Sequence, residues 1–112
     1  MRKIGVIGCR FFEDSIGMSH ILNALKPFHL VSGGAKGADS LAEKYADSLG
    51  YPKTIHRAKW HKYRKGAGPK RNSFIVRDSE FIIAFLAPDS TGTADCIKQA
   101  NKAGIFVLVV HI

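Results

Sequence analysis

The sequence predicts an α/β fold, a Rossmann-like three-layer sandwich with a five-stranded, mostly parallel sheet, and three observations predict it. Five short apolar runs are separated by stretches of helical period, the pattern of a parallel sheet whose crossovers are helices. The 112 residues, 46% of them hydrophobic, suit one domain with a buried core. No repeat, low-complexity tract or linker interrupts the chain, so residues 1–112 are expected to form a single domain.

The elements follow in order. Lys3 to Gly8 is an apolar β run ending in glycine, and Ser15 to Lys26 then spaces Ile16, Ile21, Leu22 and Leu25 helically until Pro27 stops the helix. His29 to Ser32 is the second strand. Lys36 to Leu49 places Ala38, Leu41, Ala42, Tyr45, Ala46 and Leu49 at helical spacing before Gly50. Lys53 to Arg57 is a weaker third strand. Ala58 to Gly68 has no clean period and is expected to be a long, mobile functional loop, followed by a short helix from Pro69 to Arg77. Glu80 to Leu86 is the strongest strand signal. After a turn over Ala87 to Gly92 come a helix from Thr93 to Ala103, closed by Gly104, and a last strand from Ile105 to Val110.

Charge is unevenly placed. The formal net charge is +8, from 17 Lys+Arg against 9 Asp+Glu. Between Lys53 and Arg71 the basic residues Lys53, Arg57, Lys59, Lys62, Arg64, Lys65, Lys70 and Arg71 occur with no acidic one, while the rest of the chain is balanced. Such a block attracts phosphate, on a small nucleotide or on a nucleic acid, unless it is simply a solvated basic loop. Cys9 and Cys96 are too few for a disulfide framework and fit no metal spacing, which suggests a reducing, cytoplasmic setting. The start of the chain does not read as a signal peptide. No stretch approaches the roughly 18 apolar residues of a membrane span, so no membrane partner is expected. The five histidines show no metal spacing and no nucleophile partner, and no metal or cofactor is expected.

In open parallel sheets ligands lie beyond the carboxyl ends of the strands. Gly8-Cys9-Arg10 follows the first strand, Ser32-Gly33-Gly34-Ala35-Lys36-Gly37-Ala38-Asp39 the second, and Pro88-Asp89-Ser90-Thr91-Gly92-Thr93 the fourth. Each sets small residues or hydroxyls at a helix start, where unpaired N–H groups and the helix dipole favour an anion. In SGGAKGAD the glycines permit close backbone approach, and Ser32 and Lys36 are candidate phosphate contacts; glycine here equally permits tight strand-to-helix packing with no ligand. Asp39 is a candidate for a ribose hydroxyl or a solvated first-turn residue. Arg71 is the cation expected on phosphate, with Asn72 beside it, because a guanidinium binds in a bidentate fork. Trp60 is expected to stack on a base or to serve as packing. The pattern is neither a Walker A loop nor GxGxxG.

GCR near the start, SGGAKGAD before LAEKYA, Trp60 with GAGPKRN, then IAF and a downstream GTAD resemble, in that order and over nearly the whole chain, the SLOG superfamily. The resemblance is to its small phage- and bacterium-borne branch related to YspA. It implies a Rossmann-like fold that binds nucleotides or nucleotide-derived signals, often as a homodimer. The superfamily also includes LOG-type phosphoribohydrolases, which cleave the N-glycosidic bond of nucleoside monophosphates. Of their signature PGGxGTxxE this chain keeps Gly92 and Thr93, replaces the paired glycines by Asp89 and Ser90, and has Cys96 at the glutamate, with Asp95 one residue earlier. Arg71 matches the arginine that accompanies that glutamate. A thiol cannot stabilise an oxocarbenium-like transition state as a carboxylate does, so hydrolysis would need Asp95 turned inward beside Arg71. The Rossmann-like domain of the DNA-processing protein, which binds single-stranded DNA, is a further relative that the resemblance implies. Trp60, Tyr63 and Phe74 interleave with the cations, as in single-strand binders.

Three functions are thus expected, in this order. The first is a nucleotide-ligand binding domain, sensor or weak hydrolase, using Gly8, Arg10, Ser32, Gly33, Gly34, Lys36, Gly37, Asp39, Trp60, Arg71, Asn72, Ser90, Thr91, Gly92 and Thr93. The second is an N-glycosidic hydrolase with Arg71 and Asp95 as catalytic residues. The third is a module contacting nucleic acid through Lys53 to Arg71.

Overall fold

The computed structural model describes residues 1–112. Its elements are β1 (Lys3–Gly8), α1 (Ser15–Asn23), β2 (His29–Ser32), α2 (Ala38–Ser48), β3 (Lys53–Ile55), α3 (Trp60–Tyr63), a 3-10 turn (Arg64–Gly66), α4 (Ala67–Asp78), β4 (Phe81–Leu86), α5 (Thr91–Lys102) and β5 (Phe106–His111). The strands form one sheet in the order β3-β2-β1-β4-β5, and every neighbouring pair is parallel. The fold is therefore the expected α/β sandwich.

The alternation of side chains along each strand feeds two cores. Ile4, Val6, Leu30, Ile83 and Phe85 pack with Met18 and Leu22 of α1 and with Ala38, Ala42 and Ala46 of α2. Ile7, Val31, Ile82 and Ala84 pack on the other face with Ile75 and Val76 of α4 and with Cys96 and Ala100 of α5. Burying each large side chain contributes about 1.5–3 kcal/mol, so these two layers supply the main driving force for the sandwich. α1 and α2 lie on one side of the sheet and α4 and α5 on the other. β1 and β4, from which the chain departs to opposite sides, are neighbours, and that arrangement opens a crevice at their carboxyl ends.

Helix boundaries shift for local reasons. α1 starts where expected because the Asp14 carboxylate accepts the Gly17 N–H at 2.8 Å, an N-cap. It ends earlier than expected, at Asn23, where Ala24 and Leu25 tighten the last turn by bonding Ile21 O and Leu22 O. α2 begins at Ala38 rather than Lys36 because Gly37 has φ 82°, and any side chain there would strike the backbone of Cys9 and Arg10.

Residues 58–68, expected to be a long loop, are mostly helical. The N–H groups of Lys62 and Tyr63 both bond Lys59 O, at 3.0 and 2.9 Å, and Arg64, at φ 52°, ends this single turn. α4 then begins at Ala67, and Pro69 falls within its first turn, where no N–H is required. No helix is long and apolar enough to cross a membrane.

Candidate functional site

The crevice between β1 and β4 is a cleft of about 230 Å³. Ile7 and Gly8 from β1, Arg10 from the following turn, Ala35, and Asp39 from α2 form one side. Arg71 and Asn72 of α4, Asp89 and Ser90 of the turn after β4, and Thr91, Gly92, Thr93 and Cys96 of α5 form the other. The turn carrying Arg10 is anchored through Cys9, whose N–H donates to Phe85 O at 2.9 Å and whose carbonyl accepts from Phe12 and Ala38. Arg10 itself is exposed at the mouth.

The glycine turn after β2 is held by side chains rather than left open. Asp39, 3% exposed, accepts the Gly33 N–H at 2.8 Å, and Arg71 Nη1 donates to Gly33 O at 3.0 Å. Ser32 Oγ, fully buried, donates to Glu43 Oε2 at 2.7 Å and accepts from Gly34 N–H at 3.1 Å, while Arg57 Nη1 donates to Gly34 O at 3.0 Å. A side chain at position 33 would strike the Arg71 guanidinium and lie 2.9 Å from Asp39 Oδ2. Gly33 thus lets a buried carboxylate and a guanidinium bind the N–H and the carbonyl of one residue, in consecutive peptide groups. Burial pushes the Asp39 carboxyl up to about 6, against the opposing pull of the Gly33 N–H and of Arg71.

The α5 turn is different. Ala87 N–H donates to Ser90 Oγ at 3.2 Å and Ala94 N–H to Ser90 O at 3.0 Å, but the first-turn N–H groups of Gly92 and Thr93 find no partner in the protein. Asn72 Nδ2 fixes this helix start by donating to Gly92 O at 3.1 Å, and Asn72 Oδ1 accepts from Arg71 Nε at 3.1 Å. Arg71 Nη2 has no protein partner, the guanidinium forms no ion pair, and the side chain lines the cleft.

The structure thus brings Gly8, Arg10, Asp39, Arg71, Asn72, Ser90, Thr91, Gly92 and Thr93 into one cleft. Ser32, Gly33 and Gly34 do not line it and belong to the network beneath. Lys36 and Gly37 line a shallower surface depression with Phe12, Glu13 and Lys44. Trp60 is 59% exposed and stands outside the cleft. Asp95 does not line it either: its Oδ2 accepts from Asn72 Nδ2 at 3.0 Å and Gln99 Nε2 at 2.8 Å, which makes it a positioning residue for Asn72. Cys96 does line it, and burial raises its thiol to about 12, so it stays protonated at neutral pH. Of the basic block, Arg57, Lys59, Lys70 and Arg71 gather beyond the end of β3, and Lys62, Arg64 and Lys65 lie in the exposed helical segment that follows Lys59; Lys53 alone stands apart, at the start of β3, paired with Asp47 at 2.8 Å.

Sequence reasoning missed Glu43 and Gln99, which orient Ser32 and Asp95. A signal existed, because each lies one helical turn beyond an acidic site candidate, at i+4 from Asp39 and from Asp95. Asp89 and Cys96 also line the cleft without having been site candidates; Cys96 shares the buried face of α5 with Thr93 and Ala100, a spacing visible in the sequence.

The Gene 61 protein of Mycobacterium phage D29 is 34% identical over an alignment of 122 residues that takes in 96% of this chain and 95% of that protein. The chain belongs to the family of this phage protein. No family model and no solved structure matches it.

Proposed function

We propose that this member of the Gene 61 family binds the phosphate of a nucleotide or nucleotide-derived ligand in the β1/β4 cleft, as the resemblance to the SLOG superfamily implies. The observation that carries the reading is the convergence of Arg71 and Arg10 with the unpartnered N–H groups of Gly92 and Thr93 at the start of α5. Backbone donors at a helix start, joined by a guanidinium fork, are the elementary chemistry of phosphate binding. Ser90, Thr91 and Asp89 at the rim are the polar groups available to a ribose.

Binding is favoured over N-glycosidic cleavage. The carboxylate of Asp95, the expected catalytic group, is spent on Asn72 and Gln99, Asp39 on Gly33, and the Cys96 thiol is protonated; cleavage would have to use Asp89, the cleft-lining carboxylate without a side-chain partner, which this reading assigns to ribose hydroxyls.

Calorimetric titration with AMP tests the reading. Arg10→Ala, which removes an exposed side chain, should weaken AMP at least about tenfold, the value of one charge-assisted hydrogen bond, with no change in thermal stability. Unchanged affinity in both Arg10→Ala and Arg71→Lys would sink it. Chromatography of the same mixtures should recover AMP intact.

A further inference from the structure

A second cavity, of about 260 Å³, lies beyond the end of β3 and shares Arg71 with the first. Its character differs. Arg57, Lys59, Lys70 and Arg71 line it together with the half-buried rings of Tyr63 and Phe74, and no carboxylate does. The nearest acidic partner is Asp78, which binds the lining His56 Nε2 at 2.6 Å and the Arg77 guanidinium. The ammonium groups of Lys59 and Lys70 have no ion pair or hydrogen bond in the protein; Lys70 Nζ stands 5.5 Å from the centre of the Phe74 ring.

Unpaired cations around an aromatic wall suit a second nucleotide unit, its phosphate on the lysines and its base against Tyr63 or Phe74. Arg71 stands where the two cavities meet. Its Nε and Nη1 are used by Asn72 Oδ1 and Gly33 O, and its Nη2 is left for a ligand. We infer that the ligand is a dinucleotide joined through a diphosphate, one unit in the β1/β4 cleft and the other in the Lys59/Lys70 cavity, with the bridge on Arg71. This inference rests on the proposed phosphate-binding role of the first cleft.

Parallel titrations of the whole chain with AMP, NAD and tetrathymidylate test it, repeated on Lys59→Ala/Lys70→Ala, which changes only exposed side chains. NAD should bind at least about tenfold tighter than AMP, and the double variant should bring NAD down to the affinity of AMP while AMP itself moves less than about twofold. If AMP binds but NAD binds no better, or the variant weakens both alike, the second unit has no place and the reading of the first cleft stands alone. If neither nucleotide binds, the reading of the first cleft falls and this inference with it. Tetrathymidylate bound tightly, lost in the double variant and unmatched by NAD, would overturn the inference by assigning the cavity to single strands.

Discussion

The two small-residue turns at the carboxyl edge of the sheet look alike in composition and differ in what their backbone is doing. After β2, both polar atoms of the Gly33 and Gly34 peptides are bound by Asp39, Arg71, Ser32 and Arg57. After β4, the N–H groups of Gly92 and Thr93 remain free and open to the cleft. The first turn is a joint that places Arg71; the second is a binding surface. Glycine and hydroxyl content alone does not separate the two roles, because what decides is whether the donors are already spent.

The contrast is broken most directly at the glycines. Gly33→Ala should cost about 4 kcal/mol in chemical denaturation, an overpacking strain added to the loss of the charged Arg71 bond. Gly92→Ala, whose added methyl meets no atom within 4 Å, should change stability by no more than about 1 kcal/mol and in the stabilising direction. Equal effects at the two positions would erase the distinction.

Asp39 sharpens it through pH. Its folded value of about 6 lies above the ordinary 3.8, so between those values the folded state holds more protons than the unfolded state. Stability is then greatest below about pH 4 as far as this group is concerned, and falls by about 3 kcal/mol as pH rises through about 6. Asp39→Asn keeps an oxygen for the Gly33 N–H and should remove that contribution; because the lowered pKa of His29 adds a slope of opposite sign in the same window, the check is the difference between the wild-type and Asp39→Asn curves, and no difference in slope between pH 4 and 6.5 would contradict the placement of this carboxyl.

Ser32→Ala, in the joint, should cost about 2 kcal/mol and leave AMP affinity unchanged, since it removes a buried bond to Glu43 and the Gly34 acceptor. The smallest effect is expected at Cys96: iodoacetamide at pH 7.5 should modify Cys9 in the native protein and Cys96 only after unfolding, followed by mass spectrometry.

The strand order that puts β1 beside β4 came only from the structure. The five-stranded parallel sheet was legible because apolar runs alternate with helical periods, and the rule that ligands lie beyond the carboxyl ends of the strands pointed to the turns after the first, second and fourth strands. Arg71, Asn72 and the STGT turn were legible for the same reason. The helical turn over Trp60–Tyr63 was not, since a single turn is too short to display a 3.6-residue period. Nor did the sequence reveal that Asp95 is occupied: the direction of a helix side chain depends on the neighbour it meets, here Asn72 from α4.

The backbone of Gly33 joins Asp39, six residues on, and the distant Arg71 into one heritable unit. A lineage that acquires a side chain at 33 must also relinquish the guanidinium at 71 or shift the carboxylate at 39, because the three groups share a single space. Among descendants of this protein, those positions are expected to change together or not at all, and sequences that keep Arg71 should keep Gly33, whatever ligand they have come to hold.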